Sequence, residues 1–183
     1  MNIFLIGYRC TGKTSVGKIL AKNLGWDFED TDSEVVKAAG MSISEIVSQQ
    51  GWDEFREKER SAVERICKLD ARVVGTGGGV VLNPESIKDM KQSGVVVWLR
   101  AAPEIIRTRI LQDKKTEDSR PALTSEGSVE EIEKVLSERT PLYENAMDFY
   151  ADTDCSDVNT VCRDVISELQ TFINHYEDRS KMI

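Results

Sequence analysis

Eight residues near the N-terminus have the types and the spacing that bind the phosphates of a nucleotide. The segment Gly7-x-x-x-x-Gly12-Lys13-Thr14 matches the P-loop pattern, in which successive backbone N–H groups point at phosphate oxygens. A helix that begins near the lysine adds the positive end of its dipole. The lysine reaches the β and γ phosphates, and the threonine hydroxyl binds magnesium. The segment therefore predicts a nucleoside triphosphate site that consists of Cys10, Thr11, Gly12, Lys13, Thr14 and Ser15.

Two carboxylates end the second predicted strand, in the sequence Asp30-Thr31-Asp32. In doubly wound α/β folds, ligands bind beyond the carboxyl ends of the strands. Carboxylates at such a place can orient a magnesium-bound water and the hydroxyl group of a substrate. Aspartate also caps helices, so a structural role at the start of the next helix is the alternative.

Three consecutive glycines, Gly77-Gly78-Gly79, follow the third predicted strand. Because they lack side chains, a ligand can approach the backbone closely at this place. A flexible turn without a ligand is the alternative interpretation.

Four arginines lie where anions can be bound, and they are Arg56, Arg109, Arg120 and Arg139. The planar guanidinium group suits carboxylate and phosphate groups. For each arginine taken alone, the alternative to an anion-binding role is a solvated surface residue. The single histidine, His175, lies in a polar C-terminal stretch, so a histidine general base is not expected.

Short apolar runs that alternate with amphipathic segments must position these groups. Alternation of strands with helices predicts a parallel sheet with helices on both faces. Capping boxes at Ser42-x-x-Glu45 and Ser128-x-x-Glu131 each open a helix. Pro141 is expected to interrupt the helix that follows the second box. The predicted strands are residues 2–6, 27–30, 72–75, 95–99 and 147–151, and further predicted helices are residues 14–24, 52–69, 103–111 and 157–173.

Length and composition exclude several classes of protein. A chain of 183 residues suggests one domain, over residues 1–183. The net charge of -8 argues against a general affinity for nucleic acid or anionic membranes. No apolar run approaches the ~20 residues that span a bilayer, and the N-terminus lacks a secretory signal. The four cysteines have no zinc spacing and predict free thiols in a reducing cytosol. We expect a cytoplasmic monomer.

One long polar stretch covers residues 114–127. In a compact domain such a stretch is often a mobile lid over an active site, and we place the lid at about residues 112–127. Its closure would exclude water and limit wasteful ATP hydrolysis. A plain surface loop is the alternative.

Taken together, these motifs resemble the shikimate kinase family. The resemblance implies a nucleoside-monophosphate-kinase-like fold, with three α/β/α layers and a central five-stranded parallel sheet. It also implies ATP-dependent phosphorylation of the 3-hydroxyl of shikimate, with one Mg²⁺ ion, in the chorismate route to aromatic amino acids. The matching segments extend from residue 1 to about residue 155, and they are Gly7–Thr14, Asp30-Thr31-Asp32, Phe55-Arg56-x-x-Glu59, Gly77-Gly78-Gly79, Arg120-Pro121 and Arg139-x-Pro141-Leu142-Tyr143.

The resemblance implies roles on the side of the phosphate donor. Lys13 neutralises the β and γ phosphates, and Arg120 closes onto them with the lid. Thr14 and Asp30 are the implied magnesium ligands.

The resemblance also implies roles on the side of the acceptor. Asp32 holds and deprotonates the substrate hydroxyl, which makes it the third predicted catalytic residue beside Lys13 and Arg120. Arg56 and Arg139 bind the shikimate carboxylate, and Glu59 orients Arg56. The backbone of Gly77, Gly78 and Gly79 contacts the substrate.

The chain departs from the family pattern at three places. Cys10 stands where the family usually has glycine, so the backbone geometry of the loop and its sensitivity to thiol reagents are in question. The lid segment from Asp113 to Arg120 is longer than usual. Cys155-Ser156-Asp157 stands where the family often has an arginine near adenine, and Arg109 is then the expected contact to the base.

Two other functions fit parts of the pattern. A gluconate-kinase-like or other small-molecule kinase would share the P-loop and the lid, and a panel of acceptors distinguishes it. A non-catalytic nucleotide-binding module would bind ATP tightly without transfer to any hydroxyl. The intact Lys13, Thr14, Asp32 and Arg120 argue against that second alternative.

Overall fold

The chain folds around one parallel β-sheet whose strands lie in the order β2-β3-β1-β4-β5. The computed structural model describes residues 1–112, 132–154 and 157–180, with side chains described up to residue 174. Every neighbouring pair of strands is parallel, which confirms the predicted sheet. The strands are β1 (Asn2–Ile6), β2 (Asp27–Asp30), β3 (Arg72–Gly75), β4 (Gly94–Arg100) and β5 (Phe149–Asp152).

Helices connect the strands and cover both faces of the sheet. The described α-helices are α1 (Lys13–Leu24), α2 (Thr31–Ala39), α3 (Ile43–Cys67), α4 (Pro84–Ser93), α5 (Pro103–Gln112), α6 (Ile132–Ala146) and α7 (Val158–Ser180).

Alternate residues of the buried strands supply two cores, one on each face of the sheet. Leu5 and Val97 belong to the core under α1 and α7, together with Leu20 and Val165. The other core lies under α3, α4 and α6, and its members include Phe4, Ile6, Val63, Val96, Met90 and Tyr143. The sheet therefore forms the middle layer of an α/β/α sandwich, as predicted. Among the described helices, none combines the length and apolarity that crossing a bilayer demands.

Helix α3 joins two segments that the sequence pattern separates. The predicted capping box is present, because the Ser42 side chain accepts from the Glu45 backbone N–H and Glu45 accepts from the Ser42 backbone N–H. The helix then bends at Gly51, where φ is 86° and ψ is 171°. Only glycine adopts this conformation readily. Trp52, Phe55 and Arg56, which follow the bend, line the pocket described below.

Helix α6 contradicts the expectation that Pro141 interrupts it. The helix continues from Ile132 to Ala146 with Pro141 inside. Tyr143 and Ala146, beyond the proline, are fully buried. Their packing holds the last turn in helical geometry and outweighs the hydrogen bond that proline removes.

Candidate active site

The P-loop lies between the end of β1 and the start of α1, as the pattern predicts. Gly7 has φ 137°, and a Cβ atom there would lie 2.4 Å from the Leu99 carbonyl oxygen, so no other residue fits. Gly12 has φ 95° and caps α1. The loop therefore presents its backbone N–H groups together with the positive N-terminal end of a helix.

The side chain of Lys13 folds onto the backbone of the P-loop. The side chain is buried, and Nζ donates to the carbonyl oxygens of Gly7 at 2.8 Å and Tyr8 at 2.6 Å. The Thr11 hydroxyl donates to the same Tyr8 oxygen at 2.9 Å. These bonds hold the ammonium group at the loop, where phosphates bind.

The backbone at Cys10 adopts the left-handed conformation that glycine favours. Its φ is 60°, so the backbone geometry at this place suits the glycine that the resemblance leads one to expect. For an L-residue this conformation costs about 1–2 kcal/mol. The half-buried Cys10 packs against a cluster that contains Tyr8 and Ile106. The Cys10 carbonyl accepts from Arg109 Nη1 at 3.3 Å.

Thr14 and Asp30 place two oxygen ligands side by side. Thr14 Oγ1 donates to Asp30 Oδ2 at 3.2 Å, and the other carboxylate oxygen of Asp30 accepts from the Ser33 backbone N–H at 3.1 Å. Asp30 is thus the N-cap of α2, the structural role that the sequence left open. A hydroxyl and a carboxylate suit Mg²⁺, which binds through one or two protein oxygens plus waters and substrate phosphates. Within the described parts of the chain, no cluster of three or more His, Cys, Asp or Glu could hold a metal ion.

A pocket opens beside the loop. It unites groups that lie far apart in the chain, and the predicted Asp32, Arg56 and Arg139 are among them. The pocket is lined by Tyr8, Arg9, Asp32, Ile43, Trp52, Phe55, Arg56, Glu59, Gly77, Gly78, Gly79 and Arg139.

Each of the three glycines admits a different neighbour. A Cβ atom on Gly77 would lie 2.2 Å from Glu59 Oε1 and 2.7 Å from Asp32 Oδ1. On Gly79 it would lie 2.3–2.5 Å from the Arg56 guanidinium group. On Gly78 it would reach only ordinary contact distance from the P-loop backbone. Each glycine thus has a close neighbour, which argues against the interpretation as a flexible turn.

Arg56 is held in place by one carboxylate and two rings. Its Nη1 donates to Glu59 Oε2 at 2.6 Å, which confirms the expected pairing of these residues. The guanidinium carbon lies 5.4 Å from the centre of the Trp52 ring and 5.1 Å from that of Phe55, within the range of cation–π attraction.

Glu59 is 3% exposed. Burial raises the pKa of its carboxyl group above 4.5, with the Asp32 carboxylate adding to the rise and Arg56 and Arg139 opposing it.

Arg139 extends from α6 to the glycine segment. Its Nη1 donates to the Gly78 carbonyl oxygen at 3.1 Å, and the Tyr143 hydroxyl donates to the same oxygen at 2.5 Å. Burial raises the pKa of the Tyr143 hydroxyl, so this group stays a donor at physiological pH. The two donors fix the glycine segment between α6 and the P-loop.

Of the two remaining predicted arginines, the structure describes Arg109 only. Arg109 lies outside the pocket, on α5, and its guanidinium group donates to the Thr153 hydroxyl at 3.1 Å, to the Thr153 carbonyl and to the Cys10 carbonyl. It therefore links the P-loop to the residues after β5. Arg120 and almost all of the predicted lid, residues 112–127, lie outside the described residues, as do the second capping box and Cys155-Ser156. These assignments stay predictions.

Sequence reasoning missed four residues of the pocket wall, and they are Tyr8, Arg9, Ile43 and Trp52. The first two occupy variable positions of the P-loop pattern, so the pattern carries no signal for them. Ile43 and Trp52 lie on opposite sides of the bend at Gly51, and a helical periodicity does not predict that bend.

A P-loop between the first strand and the first helix of this parallel sheet, with a charged pocket beside it, defines the class: a P-loop kinase. The sequence model of the shikimate kinase family matches residues 9–170. The shikimate kinase of Thermodesulfovibrio yellowstonii is 43% identical over 173 residues, 94% of this chain and 97% of that protein. The shikimate kinase of Caldicellulosiruptor bescii is 40% identical over 166 residues, 91% of this chain and 94% of that protein. The chain belongs to the shikimate kinase family.

Solved structures agree with this assignment. The shikimate kinase of Acinetobacter baumannii in complex with shikimate has a TM-score of 0.85 and 29% identity, over 93% of both chains. A gluconokinase of Sinorhizobium meliloti has a TM-score of 0.58 and 14% identity, over 98% of this chain and 97% of that chain. The second likeness concerns the fold alone, so the gluconate-kinase-like alternative is not favoured.

Proposed function

We propose that this enzyme transfers the γ-phosphoryl group of ATP to the 3-hydroxyl of shikimate. The observation that carries the proposal is the pocket beside the P-loop, in which Asp32 lies with Arg56, Arg139 and the glycine segment. A carboxylate that accepts a proton and arginines that bind an anion suit an acceptor with both a hydroxyl and a carboxylate group. Membership of the family and the similarity to a shikimate complex support the same substrate.

The donor half of the site binds ATP through the P-loop, from Cys10 to Ser15. The loop N–H groups hold the phosphates, and Lys13 moves from its carbonyl partners onto the β and γ phosphates. Thr14 and Asp30 would hold one Mg²⁺ ion, which would neutralise phosphate charge when bound. Arg109, beside the loop, is the proposed contact to adenine.

The acceptor half binds shikimate through charge complementarity. Among the residues that the structure describes, three guanidinium groups and two carboxylates line the pocket, an excess of positive charge that a monoanionic substrate neutralises. Arg56 and Arg139 bind the carboxylate of shikimate. Glu59 and the rings of Trp52 and Phe55 hold Arg56 in the orientation that this contact needs. The backbone of the three glycines is the proposed further contact to shikimate.

The reaction requires little covalent chemistry from the protein, because phosphoryl transfer depends on positioning and charge neutralisation. Asp32 holds the 3-hydroxyl and accepts its proton. The hydroxyl oxygen forms a bond to the γ phosphorus while the bond to the β–γ bridging oxygen breaks and leaves ADP. Arg120 is proposed to close with the lid onto the phosphates. A cytoplasmic location and a monomeric state stay predictions.

A panel of acceptors tests the proposal. Purified protein is incubated with ATP and Mg²⁺ alone, with shikimate and with gluconate, and the release of ADP is followed by a coupled assay. We expect release with shikimate and only background in the other two samples. Release with gluconate alone, or with no acceptor at all, would assign a different activity to the site.

A further inference from the structure

Arg9 is a buried cation for which neither the P-loop pattern nor the resemblance provides a role. It occupies a variable position of the P-loop, yet it is only 6% exposed and forms part of the pocket wall. Its charge is therefore held in the pocket wall, on the loop that binds phosphates.

The position of Arg9 is the boundary between the donor and acceptor halves. A Cβ atom built on Gly78 would lie 3.5 Å from the Arg9 backbone nitrogen and 3.4 Å from the Gly7 carbonyl oxygen. The glycine segment thus packs directly on the loop at this residue. The guanidinium carbon of Arg9 lies 5.5 Å from the centre of the buried Tyr8 ring, and Nη2 donates to the Tyr8 hydroxyl at 3.4 Å. Arg9 therefore lies where the P-loop meets the glycine segment.

The other two cations of the pocket belong to different elements. Arg56 lies on α3 and is paired with Glu59, and Arg139 lies on α6 and bonds to the Gly78 carbonyl. Arg9 alone among the three is part of the loop that binds phosphates. The acceptor starts with one carboxylate and gains a phosphate group, which carries about -1.5 to -2 charges at pH 7. The added negative charge appears on the side of the pocket that faces the P-loop.

We infer that Arg9 binds the phosphoryl group as it arrives on the acceptor, whereas Arg56 and Arg139 bind the carboxylate. This inference rests on the proposed function. It makes Arg9 a catalytic residue that prefers the transition state and the phosphorylated product over the unphosphorylated substrate.

The inference predicts a selective loss in the variant Arg9→Met, which keeps the apolar length of the side chain. A hydrogen bond to a charged group contributes about 1.5–3 kcal/mol, which corresponds to a factor of roughly 10 to 150. We expect the affinity for shikimate 3-phosphate and the turnover number to fall by about that factor. The affinity for shikimate should change by less than about threefold.

Two further variants keep the test decisive. Arg60→Met removes the same charge from α3, where Arg60 pairs with Asp89 at 2.6 Å outside the pocket, and it should leave both affinities unchanged. Arg9→Lys keeps the charge but loses the planar fork, and it should retain part of the product affinity. If Arg9→Met does not fold, as judged by circular dichroism and thermal melting, the comparison uses Arg9→Lys.

The experiment is a calorimetric titration of each variant with shikimate and, separately, with shikimate 3-phosphate. A selective loss of product affinity in Arg9→Met supports the inference. Equal losses for both ligands would assign Arg9 to the carboxylate contacts, and unchanged affinities would leave it a purely structural role; either result overturns the inference. A wild-type protein without shikimate-dependent turnover would instead refute the proposed function, so the two failures are distinguishable.

Discussion

Because Gly79 lies against Arg56, a substitution of Gly79 should displace the Arg56 side chain while residue 56 itself stays unchanged. In Gly79→Ala the new methyl group would lie 2.3–2.5 Å from the Arg56 guanidinium atoms, well inside van der Waals distance. The backbone at Gly79 has φ -104°, which alanine adopts without strain. The Arg56 side chain must therefore shift, while the fold has no reason to change.

The size of the effect follows from the contact that Arg56 is proposed to make. Loss of a charge-assisted hydrogen bond to the carboxylate of shikimate costs about 1.5–3 kcal/mol. We expect the KM for shikimate to rise by roughly 10- to 150-fold, since each 1.4 kcal/mol corresponds to a factor of ten. The KM for ATP should change by less than about threefold, because Lys13 and the loop are not displaced.

Steady-state kinetics of Gly79→Ala, Arg56→Ala and the double variant measure the effect. Residues that act through one contact give non-additive losses. The double variant should therefore bind shikimate no more weakly than Arg56→Ala does. Additive losses, an unchanged KM for shikimate, or a raised KM for ATP would refute the reasoning.

Four further predictions concern single residues. Lys13→Ala should lower turnover by about 10³–10⁵-fold, the loss seen when a key charge on the phosphates is removed, and near-normal kcat would show that the loop assignment is wrong. Arg139→Ala should mainly raise the KM for shikimate, and a fall in ATP affinity alone would contradict its role. Cys10→Gly should raise the free energy of unfolding by up to about 1 kcal/mol, since the relief of left-handed strain exceeds the added freedom of the unfolded chain; a loss in urea titrations would contradict this. Because the pKa of Glu59 is raised in the folded protein, its contribution to stability is greatest below about pH 4.5 and falls as the pH rises through the folded pKa. The stability of wild type relative to Glu59→Gln in urea titrations should therefore decline with rising pH, and an increase would contradict the direction of the shift.

Local patterns predicted the elements that carry the donor half of the site. Strand β1 and the P-loop were predictable because a buried apolar run leads directly into a loop with a fixed spacing of glycines. The N-termini of α2 and α4 also have local signals. Asp30 and Asn83 each accept a hydrogen bond from the backbone N–H three positions further along the chain. Neither helix was assigned a range, because polar residues interrupt their apolar periodicity.

The acceptor half depends on contacts between distant segments, and local patterns do not specify these. Residue types and positions marked Asp32, Arg56, the glycines and Arg139 as candidates, the resemblance implied their roles, and the fold places them in one pocket. The reason for each glycine appears only when its neighbour is known, as for Gly79 and Arg56. Arg9 was missed because the P-loop pattern does not specify this position. Only the fold shows that the glycine segment packs on its backbone.

The direct test of the central claim is the identity of the product. Purified protein is incubated with ATP, Mg²⁺ and shikimate, and the mixture is examined by ³¹P–¹H correlation NMR while ADP is quantified. The account predicts one ADP for each shikimate consumed and a phosphoester at the 3-position of the ring. ADP release that does not depend on shikimate, or a correctly folded protein that yields no phosphorylated shikimate, would contradict it.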